Sequence, residues 1–324
     1  MRIVSLLPAA TEWVCAFGGE AALVGRSHEC DTPPSVQSLP AVTRPTYAGA
    51  GDSAAIDEAV QAQLRQGLSL YDVDLERLRA LEPDLILTQA QCEVCAVSLP
   101  QLEAMLADWS GAAPELFSME PMTLKEVLDA ALRLGRKIGR AEAAMRFLAE
   151  KERRLKELRD RIGVDRRTDP ETLPTVACVE WMEPLMTAGH WMPDVVDMAG
   201  GRAVLAEKGK PSRTVDWADV RAADPEVLAL MPCGFTIEET TRDLHYLTER
   251  DGWRELRAVR KGRVVLFDGN AYFNRPGPRL YRSIELLATA LHPAALDGGV
   301  AAAPWERRHF RGAGVRAQKP RNLH

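Results

Sequence analysis

Long apolar runs are missing from this chain. No stretch approaches the roughly 18 residues that a membrane helix needs, so the protein is not expected to be membrane-embedded. Basic runs are equally scarce. The formal net charge is −5, which gives no nucleic-acid footprint and no expected nucleic-acid partner. Six cysteines in 324 residues are too few for a disulfide scaffold. The opening Met1-Arg2-Ile3-Val4-Ser5 has no basic leader, and Cys15 lacks the small residues that precede a lipidated cysteine. A cytoplasmic location with reduced thiols is therefore expected, or a periplasmic one if a leader has been removed. Familiar catalytic signatures are also absent. No Gly-x-Gly-x-x-Gly follows a strand, and Gly209-Lys210-Pro211 lacks the earlier glycine and the hydroxyl of a phosphate loop. Neither a Gly-x-Ser-x-Gly elbow nor a His-Glu-x-x-His is present. Glu12 and Glu29 could act as acid and base, but nothing in the sequence pairs them. These absences favour binding over catalysis, and no catalytic residue is assigned.

What is present is ordinary globular composition, 46 % apolar and 27 % charged, on a chain long enough for two domains. The stretch Ala141 to Ile162 contains neither proline nor glycine. Ala141, Met145, Leu148, Leu155, Leu158 and Ile162 recur at helical spacing, and charged residues fill the other faces. As one helix it would be roughly 33 Å long, a rod on which two lobes can be built. Its flanks look alike. Asp74 to Gln89 reads DLERLRALEPDLILTQ and Asp216 to Met231 reads DWADVRAADPEVLALM. Each is a short helix, a proline and an apolar strand, with Asp74, Arg79, Ala80 and Pro83 matching Asp216, Arg221, Ala222 and Pro225. The repeat predicts an α/β protein of two similar Rossmann-like lobes, each with a mainly parallel sheet. The expected divisions are 1–120 for the first lobe, 121–165 for helices including the 141–162 rod, 166–293 for the second lobe, and 294–324 for an irregular tail.

Unusual residues fall repeatedly just after strands, which in an open parallel sheet is the ligand edge. The first half supplies Pro8, Ala9, Thr11 and Glu12, then Tyr47, then Gln89. The second supplies Trp181, Met182, His190, Trp191, Phe235, Tyr272, Phe273 and Arg275. Trp181, Trp191 and Phe273 stand beside proline or polar residues instead of inside apolar runs. Rings so placed either seal a lobe's core or line a cleft for a large, flat, partly apolar ligand. A second group is His28, Cys30, Cys92 and Cys95. It reads as buried structural thiols, as a Cys/His site for zinc or iron, or as a Cys-x-x-Cys redox pair.

The segments Ile3-Val4-Ser5-Leu6-Leu7-Pro8-Ala9-Ala10-Thr11-Glu12 and Gly25-Arg26-Ser27-His28-Glu29-Cys30-Asp31 resemble the vitamin B12 (cobalamin) substrate-binding proteins of ABC transporters. Leu68 to Tyr71, Cys92 to Ser98 and Asn270 to Arg279 fit the branch of that family that lacks a signal peptide. The resemblance covers roughly Met1 to Pro293. It implies a class III periplasmic-binding-protein-like fold, two α/β lobes joined by one long helix with the ligand cleft between them. It implies cobalamin or a related corrinoid as ligand, with an ABC transporter permease as partner. Pro8, Ala9, Thr11, Trp181, Tyr272 and Phe273 would then meet the ligand. Export is expected of transporter-coupled members, and the cysteine cluster is not needed for corrinoid capture. A cytoplasmic carrier, metalloprotein or enzyme on the same scaffold is the alternative.

Overall fold

The computed structural model describes every residue except 47–50, 67, 90–96, 98, 108, 110, 166, 297–304, 312–313 and 319–324. Contacts divide the chain into two compact units. The first takes Met1–Gly51, Ala55–Pro121 and Lys125–Glu150, and the second takes Asp52–Ala54, Met122–Leu124 and Lys151–His324.

The chain opens β1 (Ile3–Ser5), α1 (Pro8–Ala16), β2 (Leu23–Arg26), β3 (Thr43–Pro45), α2 (Ser53–Arg65), β4 (Tyr71–Val73), α3 (Leu75–Ala80) and β5 (Leu85–Thr88). It continues through α4 (Leu99–Leu106), β6 (Glu115–Ser118), α5 (Leu124–Lys137) and α6 (Ala141–Ile162). The first unit's main sheet has the order β2-β1-β5-β6, and every pairing in it is parallel. Parallel strands need crossover helices on the faces, so β1 and β5 are buried along their whole length. Val4, Leu6, Ile86, Leu78 and Leu102 share one core on this sheet. The stretch Pro40 to Ser53 reads as loop, yet it contributes β3, which pairs antiparallel with β4.

The second unit runs β7 (Thr175–Trp181), β8 (Met186–Thr187), α7 (Met192–Met198), β9 (Arg202–Ala203), β10 (Arg213–Thr214), α8 (Trp217–Ala223) and β11 (Val227–Leu230). Then follow α9 (Ile237–Arg242), α10 (His245–Thr248), α11 (Arg257–Arg260), β12 (Val264–Phe267), α12 (Leu280–Leu291), α13 (Pro293–Leu296), β13 (Trp305–Arg311) and β14 (Gly314–Gln318). Its sheet has the order β10-β8-β7-β11-β12-β13-β14. The central strands β7, β11 and β12 are parallel, β9 pairs parallel with β7 off this path, and the other pairings are antiparallel.

The repeat seen in the sequence is a structural one. α3–β5 and α8–β11 are corresponding helix–strand pieces. β5 pairs with the first strand of its unit, and β11 does likewise. Glu82 and Asp224 both carry left-handed φ values, 42° and 36°, and each immediately precedes the matched proline. Proline disfavours right-handed helical geometry in the residue before it, so both helices end there.

The rod has the expected bounds, 22 residues from Ala141 to Ile162. Its buried face carries the expected Leu155 and Leu158 but takes Ala144 in place of Met145. Ala144, Leu155 and Leu158 are buried, whereas Met145 is 53 % exposed. In the first unit Phe147 packs edge-on to Trp13 and Phe17, at ring separations of 5.9 and 6.0 Å. Stepping by three and four from Ala144 selects Phe147 and places Met145 about 100° round the helix. The sequence places a break at Gly135 or Gly139, and it falls at Gly139, which has a left-handed φ of 69°, since α5 runs through Gly135 to Lys137.

Within the expected irregular tail, the described residues include two strands. β13 pairs antiparallel with β12 in the register Phe267↔Trp305 to Val264↔Arg308, and β14 pairs with β13. The reason lies in β12. Its four residues are all buried, and as an edge strand it would leave a row of backbone donors and acceptors open.

Gly135 of α5 faces Ala144 of α6. A methyl at Gly135 would lie 2.5 Å from the Ala144 Cβ. Alanine gains about 1 kcal/mol of helix propensity over glycine, but overpacking costs about 1–3 kcal/mol. Gly135→Ala is therefore expected to be destabilising by about 1 kcal/mol in urea unfolding. The same substitution should be neutral or stabilising in an Ala144→Gly background, and equal effects in both backgrounds would refute the contact.

Candidate functional site

Because β7, β11 and β12 are parallel, all three release the chain at one edge of the second unit's sheet. Trp181 ends β7, Phe235 lies just beyond β11, and the segment from Asp268 to Arg279 follows β12. These exits are tied together. Met231 N donates to Val179 O at 2.8 Å and Cys233 N to Glu180 O at 3.0 Å. Asn270 N donates to Phe235 O at 3.2 Å. The Trp181 and Phe235 rings meet in a T-shaped contact at 5.3 Å, and Trp181 Nε1 donates to Ser53 O at 3.2 Å.

The Asp268–Arg279 segment is wound into a π turn, Gly269–Phe273, a conformation frequent at functional sites. Asp268 Oδ1 accepts from Ala271 N at 2.7 Å, and Asn274 Nδ2 donates to Met231 O at 3.1 Å. Ser283 Oγ donates to Tyr272 O, and Trp191 Nε1 to Phe273 O at 3.3 Å. Phe273 is fully buried against Phe267 at 4.9 Å and anchors the loop. Tyr272 and Arg275 remain half-buried. Arg275 Nη2 donates to Asn270 Oδ1 at 2.9 Å. Burial raises the pKa of the Asp268 carboxyl, which Arg279 and Arg275 partly oppose. The sequence reading missed Asp268, Asn270 and Ser283 as the frame of this loop. Their signal was the Asp-Gly-Asn turn chemistry directly after a strand.

Other second-unit candidates lie elsewhere. Met182 belongs to the apolar core with Leu185, Val215 and Leu228. His190 follows β8, which runs antiparallel to β7, with Ala188 N bonded to Cys178 O at 2.9 Å. The chain there is heading away from the Trp181 edge. His190 has a left-handed φ of 52°, held by His190 N to Lys210 O at 2.6 Å and Gly209 N to His190 O at 3.1 Å. Trp191 is buried beside it, ring to ring at 5.6 Å. An open groove of about 410 Å³ lined by Arg221, Asp224, Gly252 and Glu255 lies at the amino end of β11, opposite the Trp181 edge.

In the first unit β1, β2 and β5 likewise release Pro8, His28 and Gln89 at one edge. Pro8, Ala9, Thr11, Glu12 and Gln89 are all buried there. Thr11 Oγ1 lies 3.0 Å from the Cys30 sulfur, and Cys30 Sγ lies 3.7 Å from Ser5 O. Cys30 is thus the buried thiol of an internal network. Cys15, which is half-buried, has its pKa pushed up to about 12 by burial, which makes it a poor thiolate. His28 Nδ1 pairs with Thr43 Oγ1 at 2.8 Å, and Nε2 lies 3.3 Å from Glu29 Oε1. Cys92, Cys95 and Tyr47 lie outside the described residues. Among the described residues no three His, Cys, Asp or Glu side chains stand so as to hold a metal ion. No described helix is long and apolar enough to cross a membrane.

Two α/β units with parallel sheets, joined through one long helix, with rings and an arginine at a strand-exit edge, define a ligand-binding scaffold. A model of the periplasmic binding protein family matches residues 3–271, and the chain belongs to that family. The fold is the class III form of it. The chain is 25 % identical over 297 residues to the vitamin B12-binding protein of Vibrio cholerae, covering 90 % of this chain and 88 % of that one. It is similar in structure to a periplasmic heme binding protein from Pseudomonas aeruginosa, with TM-score 0.66, 21 % identity and 99 % of both chains covered. The V. cholerae periplasmic vitamin B12 binding protein superposes with TM-score 0.62 at 22 % identity, over 91 % of this chain and 98 % of that one.

Burial lowers the pKa of His190, and burial outweighs the Gly200 hydrogen bond to do the same at His292. Both imidazoles are neutral in the fold where the unfolded chain would take a proton. Stability is therefore full above the ordinary value of 6.5 and falls as pH drops below it towards the depressed folded values. Urea midpoints should decline between pH 7.5 and 5.5. His190→Asn, which tolerates the left-handed backbone, should flatten part of that slope. An unchanged slope would exclude His190 as a contributor.

Proposed function

We propose that this protein is a non-catalytic binding protein for a corrinoid, cobalamin or a close relative, serving an ABC-type transporter. The observation that carries this reading is the Trp181–Phe235–Tyr272 group at the strand-exit edge of the second unit, set on a loop locked by Phe273. Rings of this kind offer large apolar area at small loss of side-chain freedom. The vitamin B12-binding relative in V. cholerae supports the corrinoid over other flat ligands. Haem is the competing ligand, because the similar P. aeruginosa structure is that of a heme binding protein.

On the first unit, the edge carrying Pro8 and Ala9 would meet ligand through backbone, since Ala9 is only 1 % exposed. Thr11 and Cys30 hold that edge together from inside. A Cys/His zinc or iron site has weaker support. The His28 ring and the Cys30 thiol each have partners within the fold.

Aquocobalamin should bind at micromolar or tighter affinity, read as a shift in its visible spectrum and as calorimetric heat. Tyr272→Ala should weaken binding about 10-fold, about 1.4 kcal/mol, with unchanged circular dichroism. Trp181→Ala should act in the same direction. Saturable binding of haemin with none of aquocobalamin would replace the corrinoid by haem. No binding of either would remove the proposal.

A further inference from the structure

The Trp181 edge also includes a stretch from early in the chain, which the corrinoid reading leaves without a role. Residues Asp52–Ala54 belong to the second unit, far from the rest of it in sequence. Ser53 is the first residue of α2, and the first N–H groups of a helix have no partner within it. Ser53 N finds one in Asp243 Oδ2, 190 residues on, at 2.7 Å. On its other side Ser53 O accepts from Trp181 Nε1 at 3.2 Å. One residue earlier, Asp52 Oδ2 accepts from Tyr246 Oη at 2.9 Å. Ser53 is fully buried, and its Oγ bonds nothing among the described residues, so it acts through its main chain. Asp243 is only 2 % exposed. It stands at the corner between α9 and α10, where Asp243 N donates to Glu239 O at 3.3 Å and Tyr246 N to Asp243 O at 3.1 Å. Leu244 and Leu247 seat that corner in the core.

The bonds therefore run in series from a core-seated carboxylate, through one peptide residue, to the indole of Trp181. A bond from an N–H to a carboxylate is stronger than one between neutral groups. A ring held this way has lost its rotamer freedom before any ligand arrives, and binding need not remove it. The indole's single donor is also occupied, so Trp181 offers a ligand ring area and no hydrogen bond. We propose that Asp243 is a positioning residue of the ligand edge, fixing the Trp181 ring through the backbone of Ser53. Tyr246 steadies the same backbone at Asp52. Asp243 is itself too buried to touch a ligand. The proposal rests on the ligand-binding reading above and deepens it by naming what sets the orientation of its first ring.

The test has one arm without ligand and one with it. Trp181→Phe keeps a ring and removes the N–H, so it identifies the Trp181 indole signal among those of the seven tryptophans in an NMR spectrum of the full chain. Without ligand, Asp243→Ala should move that signal and speed the exchange of its proton with solvent. Asp243→Asn keeps a side-chain oxygen as acceptor and should hold the signal nearer its place. With ligand, spectral titrations with aquocobalamin and haemin give the affinities. Asp243→Ala should weaken the ligand that binds by about 3- to 10-fold, the cost of ordering one such side chain on binding, and Asp243→Asn by less. In a Trp181→Phe background, Asp243→Ala should cost no further affinity. Should Asp243→Ala not fold, Tyr246→Phe takes its place, since it removes only the tether at Asp52 and should act in the same direction.

An unmoved indole signal, an unchanged affinity, or an equal loss of affinity with and without the Trp181 indole overturns the positioning role and leaves the ligand-binding reading intact. If only haemin binds, and the loss depends on the indole, Asp243 keeps its role and the corrinoid reading falls. Binding of neither ligand by the full chain overturns both.

Discussion

The parallel pairing of β7, β11 and β12 is the constraint from which the second unit's chemistry follows. Antiparallel neighbours would send successive exits to opposite ends of the sheet. Parallel ones send them all to the same end, and each return trip costs a crossover. Three loops distant in sequence, around residues 181, 233 and 270, thereby become neighbours and can bond to one another. The strands that directly flank this parallel set, β8 and β13, are antiparallel to it and run the other way. β8 makes the point, for it turns the chain back along β7 and carries His190 away from the rings.

At that edge one loop divides its side chains by role. Phe273 goes inward onto Phe267, and Trp191 caps its carbonyl, so the loop is pinned from below. Tyr272 and Arg275 stay half-buried. A regular helix would space these residues by 100° steps, whereas the π turn is wider and is stabilised by Asp268 at its start. Adjacent aromatic residues thus differ in burial. Sequence alone treats Tyr272 and Phe273 as a pair of equivalent rings, because nothing in their order says which one the core will take.

Much of the fold could be read before any coordinates. The helix–proline–strand repeat located β5 and β11, and the left-handed residues before Pro83 and Pro225 show that the likeness extends to backbone conformation. The bounds of α6 followed from its lack of proline and glycine. Its face followed at Leu155 and Leu158 but not at Met145, because periodicity counts Met145 as apolar without knowing that Trp13 and Phe17 wait one step further round. The β13–β14 hairpin was illegible for a related reason. Its strand character comes from the open edge of β12 and not from alternation of its own residues. The site was half legible. Strand exits can be predicted, and the structure puts Trp181, Phe235 and Tyr272 at them. The bond between Thr11 and Cys30 could not be read, since a hydroxyl and a thiol 19 residues apart show nothing of their contact in the sequence.

Gly269 shows why the edge is stiff. Its φ is not left-handed, so conformational freedom is not what glycine supplies there. The position needs glycine because backbone meets backbone, with Pro232 O and Met231 O at 2.1 and 2.7 Å from where a Cβ would stand. Main-chain carbonyls cannot swing aside as a side chain can. The turn after β12 is therefore seated on the turn after β11, with Asn274 Nδ2 closing the same contact from the other side. A loop so confined has already lost the freedom that ligand binding would otherwise take from it, about 0.5–1.5 kcal/mol for each immobilised rotamer-rich side chain. Arginine has the most rotamer freedom to lose at this edge, and the bond to Asn270 Oδ1 restricts that of Arg275.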